Sequence, residues 1–431
     1  MKIVIHRGTQ EIGGTCVEIT TDQTRILIDF GMPLVDARKE PFDSKTLIGR
    51  SIDDLKKSKI LPDIRGLYDT EEKSIDAILI SHSHMDHYGL LSYVHNDIPV
   101  YMSQGAQELI DVSSIFTPNK IGKVNSRIIN AKKAFNIGDI KITPYLVDHS
   151  AFDALAFLIE ADGKRLFYSG DFRAHGRKSV LFKKIIDNPP KDIDCLLMEG
   201  SMLGRENKKY KDEVSVQTRM EEILKSANNI TFLFASSQNI DRLVSAYKAC
   251  LKTDSTFVID IYTAYILDML QKVSEHIPQF NWRNVRVKFT KNQADNLANK
   301  VSTKLLYHYN TKKIELSEIN KNKNKFLMLA RDNSIFPKII KGIDKIEGSK
   351  IIYSMWNGYL TDKFKEYCVD KGLSIEEVHT SGHATVEDLK TFADAINPKK
   401  LIPIHTFEAA RYPTLFRNVE ILKDKEVFIL L

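Results

Sequence analysis

Residues 77–91 read AILISHSHMDHYGLL and constrain this chain more than any other stretch. An apolar run typical of a buried strand is followed at once by three histidines and one aspartate within six positions. His82 and His84 are two positions apart in an extended turn, so their side chains project to the same side. Asp86 and His87 follow where a helix is expected to begin. Because histidine is the commonest protein ligand for zinc, the stretch predicts a loop that serves two neighbouring metal ions.

Polar or glycine-containing turns also end other short β-rich runs, and such endings are where sheet-based enzymes place reactive groups. The runs are RILIDFG (25–31), AILIS (77–81), IPVYMS (98–103), KRLFYSGDF (164–172) and DCLLMEGS (194–201). Each zinc takes about four ligands, so two ions need more than the first loop offers. Further candidates are His149 in LVDHS, Asp171 in YSGDF and His405 in IPIHTF. Each is ambiguous by itself, and their occurrence together favours ligation.

The stretch from about 205 to 375 has a different pattern of apolar and polar residues. Four segments in succession give an apolar run, a polar turn and an amphipathic helical pattern, which predicts a second, parallel α/β domain. They begin at NITFLF, STFVID, KFLMLA and KIIYSM. A length of 431 residues is consistent with two domains. The lysine- and asparagine-rich segment IELSEINKNKNK (314–325) is expected to be a solvated loop.

Composition excludes several classes. A formal charge of +6 is compatible with a polyanionic partner but does not indicate one. The four cysteines form no C-x-x-C pair, which argues against a disulfide framework and a cysteine zinc site: Cys16, Cys195, Cys250 and Cys368. Neither a signal peptide nor an apolar run long enough to span a bilayer is visible. We therefore expect a cytoplasmic protein without membrane association.

The motif set resembles a known family. SHSHMDH matches the His-x-His-x-Asp-His signature of the metallo-β-lactamase superfamily. The remaining motifs of that family fall at Asp29, His149, Asp171 and His405. Three downstream motifs look like those of the β-CASP nucleases: Glu199 in MEGS, His383 in HTSGHA and His405 in PIHTF. SGHA and IPIH are most similar to the RNase J branch.

The resemblance implies a fold and a domain order. We expect a metallo-β-lactamase αββα sandwich formed by residues 1–204 and 376–431, with an inserted β-CASP α/β domain, built on a parallel sheet, at 205–375. The sequence ends soon after His405, so a short form without the C-terminal domain of long RNase J proteins is expected. TFEAAR stands where many relatives have a Gly-Glu pair, which leaves the 5′-end preference open. The oligomeric state is also open.

The resemblance further implies the ligand set. One metal would be held by His82, His84 and His149, the other by Asp86, His87 and His405, and Asp171 would bridge both. Asp29 would orient the ligand loop by hydrogen bonds, although a turn-forming aspartate before Gly31 is the alternative. Two Zn²⁺ are expected, with Mn²⁺ as a substitute, because no thiolates compete among the ligands.

The chemistry expected from this set is hydrolysis of phosphodiester bonds in single-stranded RNA. Two zinc ions about 3.5 to 4 Å apart lower the pKa of a bridging water and hold the oxygens of an in-line displacement. Asp86 would be essential as a ligand, His383 would protonate the leaving ribose oxygen, and Glu199 would keep that imidazole protonated and aimed. His383 as a helix-start residue and Glu199 as a surface turn acid are the alternatives.

Other functions stay open at this stage. DNA is a possible substrate, and the residues do not distinguish exonuclease from endonuclease action. A hydrolase of small esters or thioesters could use the same metals, and an RNA-binding subunit without metal is the non-enzymatic alternative.

Four serines at predicted helix starts are candidate phosphate contacts, because free N–H groups and the helix dipole favour anions there. They are Ser236 and Ser237 in ASSQN, Ser354 in YSMWNGY and Ser381 in TSGHA. The same residues could be ordinary N-caps.

Overall fold

The computed structural model describes residues 1–36, 40–117, 121–122, 124–205 and 209–431. The chain divides into two compact units. The sandwich unit comprises Met1–Glu206 and Gly382–Leu431, and the inserted unit comprises Asn207–Ser381. The sequence predicts the insertion at 205–375. Among the helices of the described part of the chain, none is both long and apolar enough to cross a membrane.

The sandwich unit contains two sheets. The first has seven strands: β1 (Lys2–Arg7), β2 (Cys16–Thr20), β3 (Arg25–Ile28), β4 (Ala77–Leu79), β5 (Val100–Met102), β6 (Ser126–Ile128) and β19 (Val427–Ile429). The second has six: β7 (Phe135–Ile137), β8 (Ile140–Leu146), β9 (Leu155–Ala161), β10 (Lys164–Tyr168), β11 (Cys195–Glu199) and β18 (Lys400–Ile404). Their strand orders are β19-β1-β2-β3-β4-β5-β6 and β18-β11-β10-β9-β8-β7.

Alternation of side chains along the strands explains how the layers pack. Ile19 and Ile28 of the first sheet share one buried cluster with Phe157 and Leu197 of the second. Helices cover the two outer faces: α1 (Ile52–Lys57), α2 (Met85–Tyr88) and α3 (Gln104–Phe116) on the first, α4 (Ser179–Asp187), α13 (Val386–Ile396) and α14 (Tyr412–Leu415) on the second. The predicted αββα sandwich is confirmed.

The inserted unit is built on one parallel sheet. Its strands are β12 (Thr231–Phe234), β13 (Thr256–Asp260), β14 (Val285–Lys288), β15 (Phe326–Ala330), β16 (Lys350–Tyr353) and β17 (Ser374–Glu377), in the order β14-β13-β15-β12-β16-β17. Its helices are α5 (Glu213–Lys225), α6 (Ile240–Lys252), α7 (Ile261–Leu270), α8 (Lys291–Lys300), α9 (Thr303–Asn310), α10 (Leu316–Ile319), α11 (Phe336–Lys341) and α12 (Asp362–Asp370). All four predicted strand-turn-helix segments are present, and their unbroken apolar runs fit strands buried on both faces.

One prediction for this unit is wrong. Residues 314–325 are not simply a solvated loop, because they contain α10 and a 3₁₀ turn at Lys323–Lys325. Ile314 and Ile319 are fully buried in the core of the inserted unit. The lysines and asparagines around them lie at the surface. The polar composition of the segment therefore gave no indication that these two isoleucines belong to the core. The segments that form β14, α8 and α9 were not recognised from the sequence either.

Candidate metal centre

The predicted site residues of the sandwich unit follow the carboxyl ends of its strands. Asp29 follows β3, His82 follows β4, His149 follows β8, Asp171 follows β10 and His405 follows β18. β3 and β4 are parallel in the first sheet, and β10, β11 and β18 are parallel in the second. Parallel strands end at the same edge of a sheet, so side chains scattered along the sequence meet there.

The short helix α2 orients the side chains at the end of the SHSHMDH motif. His84 is its N-cap, and the helix turns Asp86 and His87 into the buried interior. The loop after β3 packs directly on this helix: a Cβ at Gly31 would lie 1.6 Å from the carbonyl oxygen of Asp86. Only glycine permits this approach, which explains the Asp-Phe-Gly sequence after β3.

The structure brings all seven predicted ligands together. Four overlapping groups have donor atoms within 4.8 Å of one another: His82, His84 and His149; His82, His87 and Asp171; Asp86, His87 and His405; His149, Asp171 and His383. Asp171 is central. Its Oδ2 lies 3.1 Å from His87 Nε2, 3.5 Å from His405 Nε2 and 3.7 Å from His82 Nε2.

The residues fit a divalent metal. Buried polar atoms in proteins are normally hydrogen-bonded. In the described part of the chain, four atoms at the centre of the cluster have no hydrogen-bond partner: His82 Nε2, His87 Nε2, His405 Nε2 and Asp171 Oδ2. Imidazole nitrogen and carboxylate oxygen are zinc-type donors, so a cation would satisfy all four.

Hydrogen bonds hold the opposite sides of these rings. Asp29 Oδ2 lies 2.8 Å from His87 Nδ1. The same carboxylate accepts hydrogen bonds from the backbone N–H of Ser81 at 2.7 Å, from the Ser81 hydroxyl at 2.8 Å and from the Tyr168 hydroxyl at 2.6 Å. Such partners fix the ring orientation of a ligating histidine. Asp29 has a φ of 61°, which is consistent with a constrained turn as well as with orientation of a ligand.

Two hydroxyl groups also hold rings of predicted ligands, and the sequence did not predict either of them. Ser81 Oγ lies 3.0 Å from His82 Nδ1, and Thr15 Oγ1 lies 2.9 Å from His405 Nδ1. In both rings the other nitrogen, Nε2, faces Asp171. Ser81 directly precedes the first motif and could have been suspected, whereas nothing in the sequence around Thr15 indicated its role.

A buried ion pair joins two ligand loops and was also missed. Arg173 Nε donates to Asp148 Oδ1 at 3.3 Å, and both side chains are fully buried. The backbone N–H of Arg173 donates to the Asp148 carbonyl at 2.6 Å, and Gly176 N–H donates to Asp148 Oδ2 at 2.8 Å. Asp148 is adjacent to His149, and Arg173 follows Asp171 by two residues. The pair therefore connects the loops that carry these two ligands.

The charges of the cluster suit cation binding. Burial lowers the pKa of His82, His149 and His405, and it lowers that of His84 to about 4. These rings stay neutral, which is the form that binds metals. His87 differs: burial opposes a charge on its ring, but Asp171, Asp29 and Asp86 outweigh burial and raise its pKa well above the usual value, so a metal bound at this ring would have to displace a proton.

His383 and Glu199 lie beside the cluster. His383 Nδ1 is 3.4 Å from Glu199 Oε1 and 3.7 Å from Asp171 Oδ2. Glu199 is fully buried at the end of β11 and accepts hydrogen bonds from the backbone N–H groups of Ser201 at 2.9 Å and Ala384 at 3.3 Å. Burial disfavours a charged His383, but Glu199 and Asp171 raise its pKa to about 9. An imidazole here can carry and donate a proton.

The four serines lie in the inserted unit. Ser236 is exposed, and its hydroxyl accepts from the N–H of Gln238 at 3.2 Å. Ser237 is buried against Thr263 and Arg331, and Ser354 is buried between Arg242 and the carbonyl of Val378. Ser381 is buried. A phosphate contact by any of them stays a prediction.

Two models of known protein families match parts of this chain. Residues 61–231 match the beta-lactamase superfamily domain, and residues 369–412 match the Zn-dependent metallo-hydrolase RNA specificity domain. A solved protein of unknown function from Enterococcus faecalis V583 has the same fold, with a TM-score of 0.80 at 22% identity over 99% of both chains.

The curated relatives include ribonucleases. Ribonuclease J of Helicobacter pylori (strain ATCC 700392 / 26695) is 23% identical over 94% of this chain, which spans 56% of that protein. Ribonuclease J of Mycoplasma genitalium is 23% identical over 100% of this chain and 72% of its own length. An RNase J-like protein of Methanocaldococcus jannaschii is 23% identical over 66% of this chain.

Fold and site together define a class: an αββα sandwich with a metal centre of histidines and aspartates at one edge. The chain contains a beta-lactamase superfamily domain and a metallo-hydrolase RNA specificity domain, and it is similar to the β-CASP proteins of the RNase J-like branch.

Proposed function

We propose that this chain is a metal-dependent ribonuclease that hydrolyses phosphodiester bonds of single-stranded RNA with two bound Zn²⁺, for which Mn²⁺ can substitute. The observation that carries the proposal is the convergence of seven nitrogen and oxygen donors, Asp171 among them, in one cluster, with His383 and Glu199 beside it. The RNA specificity match and the relatives named Ribonuclease J support RNA as the substrate.

Each group of side chains has a separate role in the proposed hydrolysis. Bound divalent ions supply positive charge that activates water for attack and stabilises the charge that develops on the phosphoryl group. His82, His84 and His149 would hold one ion, Asp86, His87 and His405 would hold the other, and Asp171 would be the ligand common to the two sets. Asp29 fixes the ring of His87. His383 protonates the leaving ribose oxygen, and Glu199 keeps its imidazole aimed.

The test is a hydrolysis assay with defined ends. Purified, metal-loaded protein is incubated with end-labelled RNA and DNA of one sequence, each carrying a 5′-monophosphate or a 5′-hydroxyl. We expect cleavage of RNA. The ladder of products then reports exonuclease or endonuclease action, and the four substrates report end preference. Cleavage of DNA alone, or of neither polymer, contradicts the proposal.

Asp86→Ala provides the matched negative control. It removes a ligand at the first turn of α2, so hydrolysis should be lost and metal content should fall below two ions per chain. Asp53→Ala removes an exposed carboxylate at the first turn of α1 and should leave both unchanged. Near-normal activity of Asp86→Ala would show that the second metal position is misassigned.

The cytoplasmic location stays a prediction of the sequence.

A further inference from the structure

Two exposed aromatic rings stand on one loop of the inserted unit. Trp356 and Tyr359 lie between β16 and α12, and 49% and 61% of their surfaces are exposed. Their ring centroids are 5.2 Å apart, and the planes are almost perpendicular at 89°. Large aromatic side chains this exposed are unusual in a loop whose other large apolar residues, Met355 and Leu360, pack in or against the core.

The indole ring is held in place. A Cβ added to Gly358 would lie 2.4 to 2.6 Å from three atoms of the Trp356 ring, so the ring lies directly on the backbone of this glycine. Tyr359 contacts it edge-on, and a 3₁₀ turn, Asn357–Tyr359, closes the loop with a hydrogen bond from Tyr359 N–H to the Trp356 carbonyl at 3.1 Å. An aromatic ring ordered in this way loses little freedom when a ligand stacks on it.

The base of the loop is anchored in the core. Arg242, fully buried and paired with Glu213 at 2.9 Å, donates to the carbonyl of Ser354 at 2.9 Å. The N–H of Ser354 donates to the Phe234 carbonyl of β12 at 2.8 Å. The rings are therefore presented from a fixed position at the carboxyl edge of the parallel sheet, where α/β folds bind ligands.

The neighbouring loops at this edge carry polar and stacking groups. β12 lies between β15 and β16, so the exposed hydroxyl of Ser236 lies next to the aromatic loop. After β15 comes Arg331, 30% exposed, whose guanidinium lies 5.4 Å from the centre of the Tyr262 ring. Three strand spacings, about 14 Å, separate the loop after β13 from the loop after β16. Rings at both ends with hydroxyls between them suit an extended single strand better than an apolar protein surface.

We propose that Trp356 and Tyr359 form a stacking site for a base of single-stranded RNA. The inference rests on the proposed function and adds a residue-level contact to it. Every base has a flat π-face, so stacking holds a strand without reading its sequence. The geometry thus assigns to this loop a contact that binds the substrate strand whatever its base sequence.

The sequence offers a direct optical test. The chain has two tryptophans, so Trp282→Phe leaves Trp356 as the sole tryptophan. Metal-free full-length protein, which cannot cleave, is titrated with a short oligoadenylate and with an abasic oligomer of the same backbone. Quenching of Trp356 fluorescence by the oligoadenylate and not by the abasic oligomer is expected.

Affinity measurements complete the test. Trp356→Ala should weaken binding of the oligoadenylate about tenfold, Trp356→Phe should weaken it less, and Gly358→Ala should weaken it by displacing the ring. Tyr307→Ala, which removes an even more exposed ring from α9, should have no effect. Far-ultraviolet circular dichroism confirms that each variant is folded.

The outcomes separate the two proposals. RNA binding without quenching, or with equal affinity in Trp356→Ala, overturns the stacking site and leaves the ribonuclease proposal standing; the rings then serve another partner, such as a protein. No RNA binding and no RNA cleavage by the unaltered chain overturn both.

Discussion

Single carboxylates organise the metal centre. Asp171 faces three histidine Nε2 atoms, and Asp29 accepts hydrogen bonds from Ser81 and Tyr168 while it holds His87. A buried carboxylate is costly unless cations or hydrogen bonds satisfy it. Asp29 is satisfied by the protein itself, whereas Asp171 Oδ2 has no hydrogen-bond partner among the described residues and is the oxygen that a bound cation would satisfy.

The role of His383 can be separated from metal binding. If it protonates the leaving oxygen, His383→Ala should slow RNA hydrolysis about a hundredfold to ten-thousandfold while the metal content stays unchanged. A phosphodiester with a p-nitrophenolate leaving group should be nearly unaffected, because this anion departs without a proton. The measurement is the rate on both substrates, with the exposed His276→Ala as control. Equal losses on both substrates would assign His383 to positioning, and loss of metal would make it a ligand.

The Arg173–Asp148 pair should influence metal affinity. Arg173→Lys keeps the charge but loses the guanidinium Nε that contacts Asp148, so the loops carrying His149 and Asp171 are held less precisely. We expect metal affinity about tenfold lower, measured by competition with a chromogenic chelator. Arg127→Lys, at an exposed position in β6, is the control. An affinity equal to that of the unaltered chain would show that the pair is only structural.

Strand ends also organise the inserted unit. Asp260 ends β13 and caps α7, where its Oδ1 accepts from the N–H of Thr263 at 2.9 Å. The same carboxylate pairs with Arg331, which follows β15, and accepts from Gln293 of α8 at 2.7 Å. One side chain thus ties together two neighbouring strands and two helices.

This arrangement predicts a pH dependence of stability. Burial would raise the pKa of Asp260, but Arg331, Thr263 and Gln293 lower it from 3.8 to about 2. Because the folded pKa lies below the unfolded value, the stabilisation is complete above about pH 5 and is lost as the pH falls from 3.8 towards 2. Asp260→Asn, which keeps the cap, should cost about 2 kcal/mol near pH 7 and progressively less below pH 4.

Urea unfolding across this pH range measures the difference. Asp370→Asn is the control, since Asp370 is paired with Lys371 at the surface and contributes little. A destabilisation of Asp260→Asn that does not change with pH would exclude the ion pair as its cause.

At the scale of the whole molecule, the metal centre joins distant parts of the chain. Its ligands come from both sheets of the sandwich unit and from both sequence segments of that unit, residues 82–171 and residue 405. A metal bound there would therefore link the first segment of the unit to the strand that returns after the insertion.

Chelation should consequently destabilise the protein. A ligand that binds only the folded state adds about 2.7 kcal/mol when its free concentration is a hundredfold above Kd. Calorimetry should show a lower Tm for metal-free protein, and added Zn²⁺ should restore it. Asp86→Ala should respond less than the unaltered chain. A Tm that does not respond to chelator would contradict a bound metal.

The class of fold and most residues of the candidate metal centre can be predicted from the amino-acid sequence. The apolar runs of β3, β4, β10 and β11 end in polar turns, and a ligand at a strand end stays recognisable because the signal is local. The four strand-turn-helix segments of the inserted unit are recognisable for the same reason. The sequence could also propose His383 and Glu199 as partners, since both lie in short motifs.

Contacts between segments far apart in sequence became visible only in the folded structure. Tyr168 on Asp29, Thr15 on His405 and Arg173 on Asp148 join positions that no periodicity relates. Burial of Ile314 and Ile319 within a lysine-rich segment was hidden for the same reason. A hydrogen bond or a core contact between distant residues depends on how sheets and helices pack, and that packing is a property of the whole folded chain.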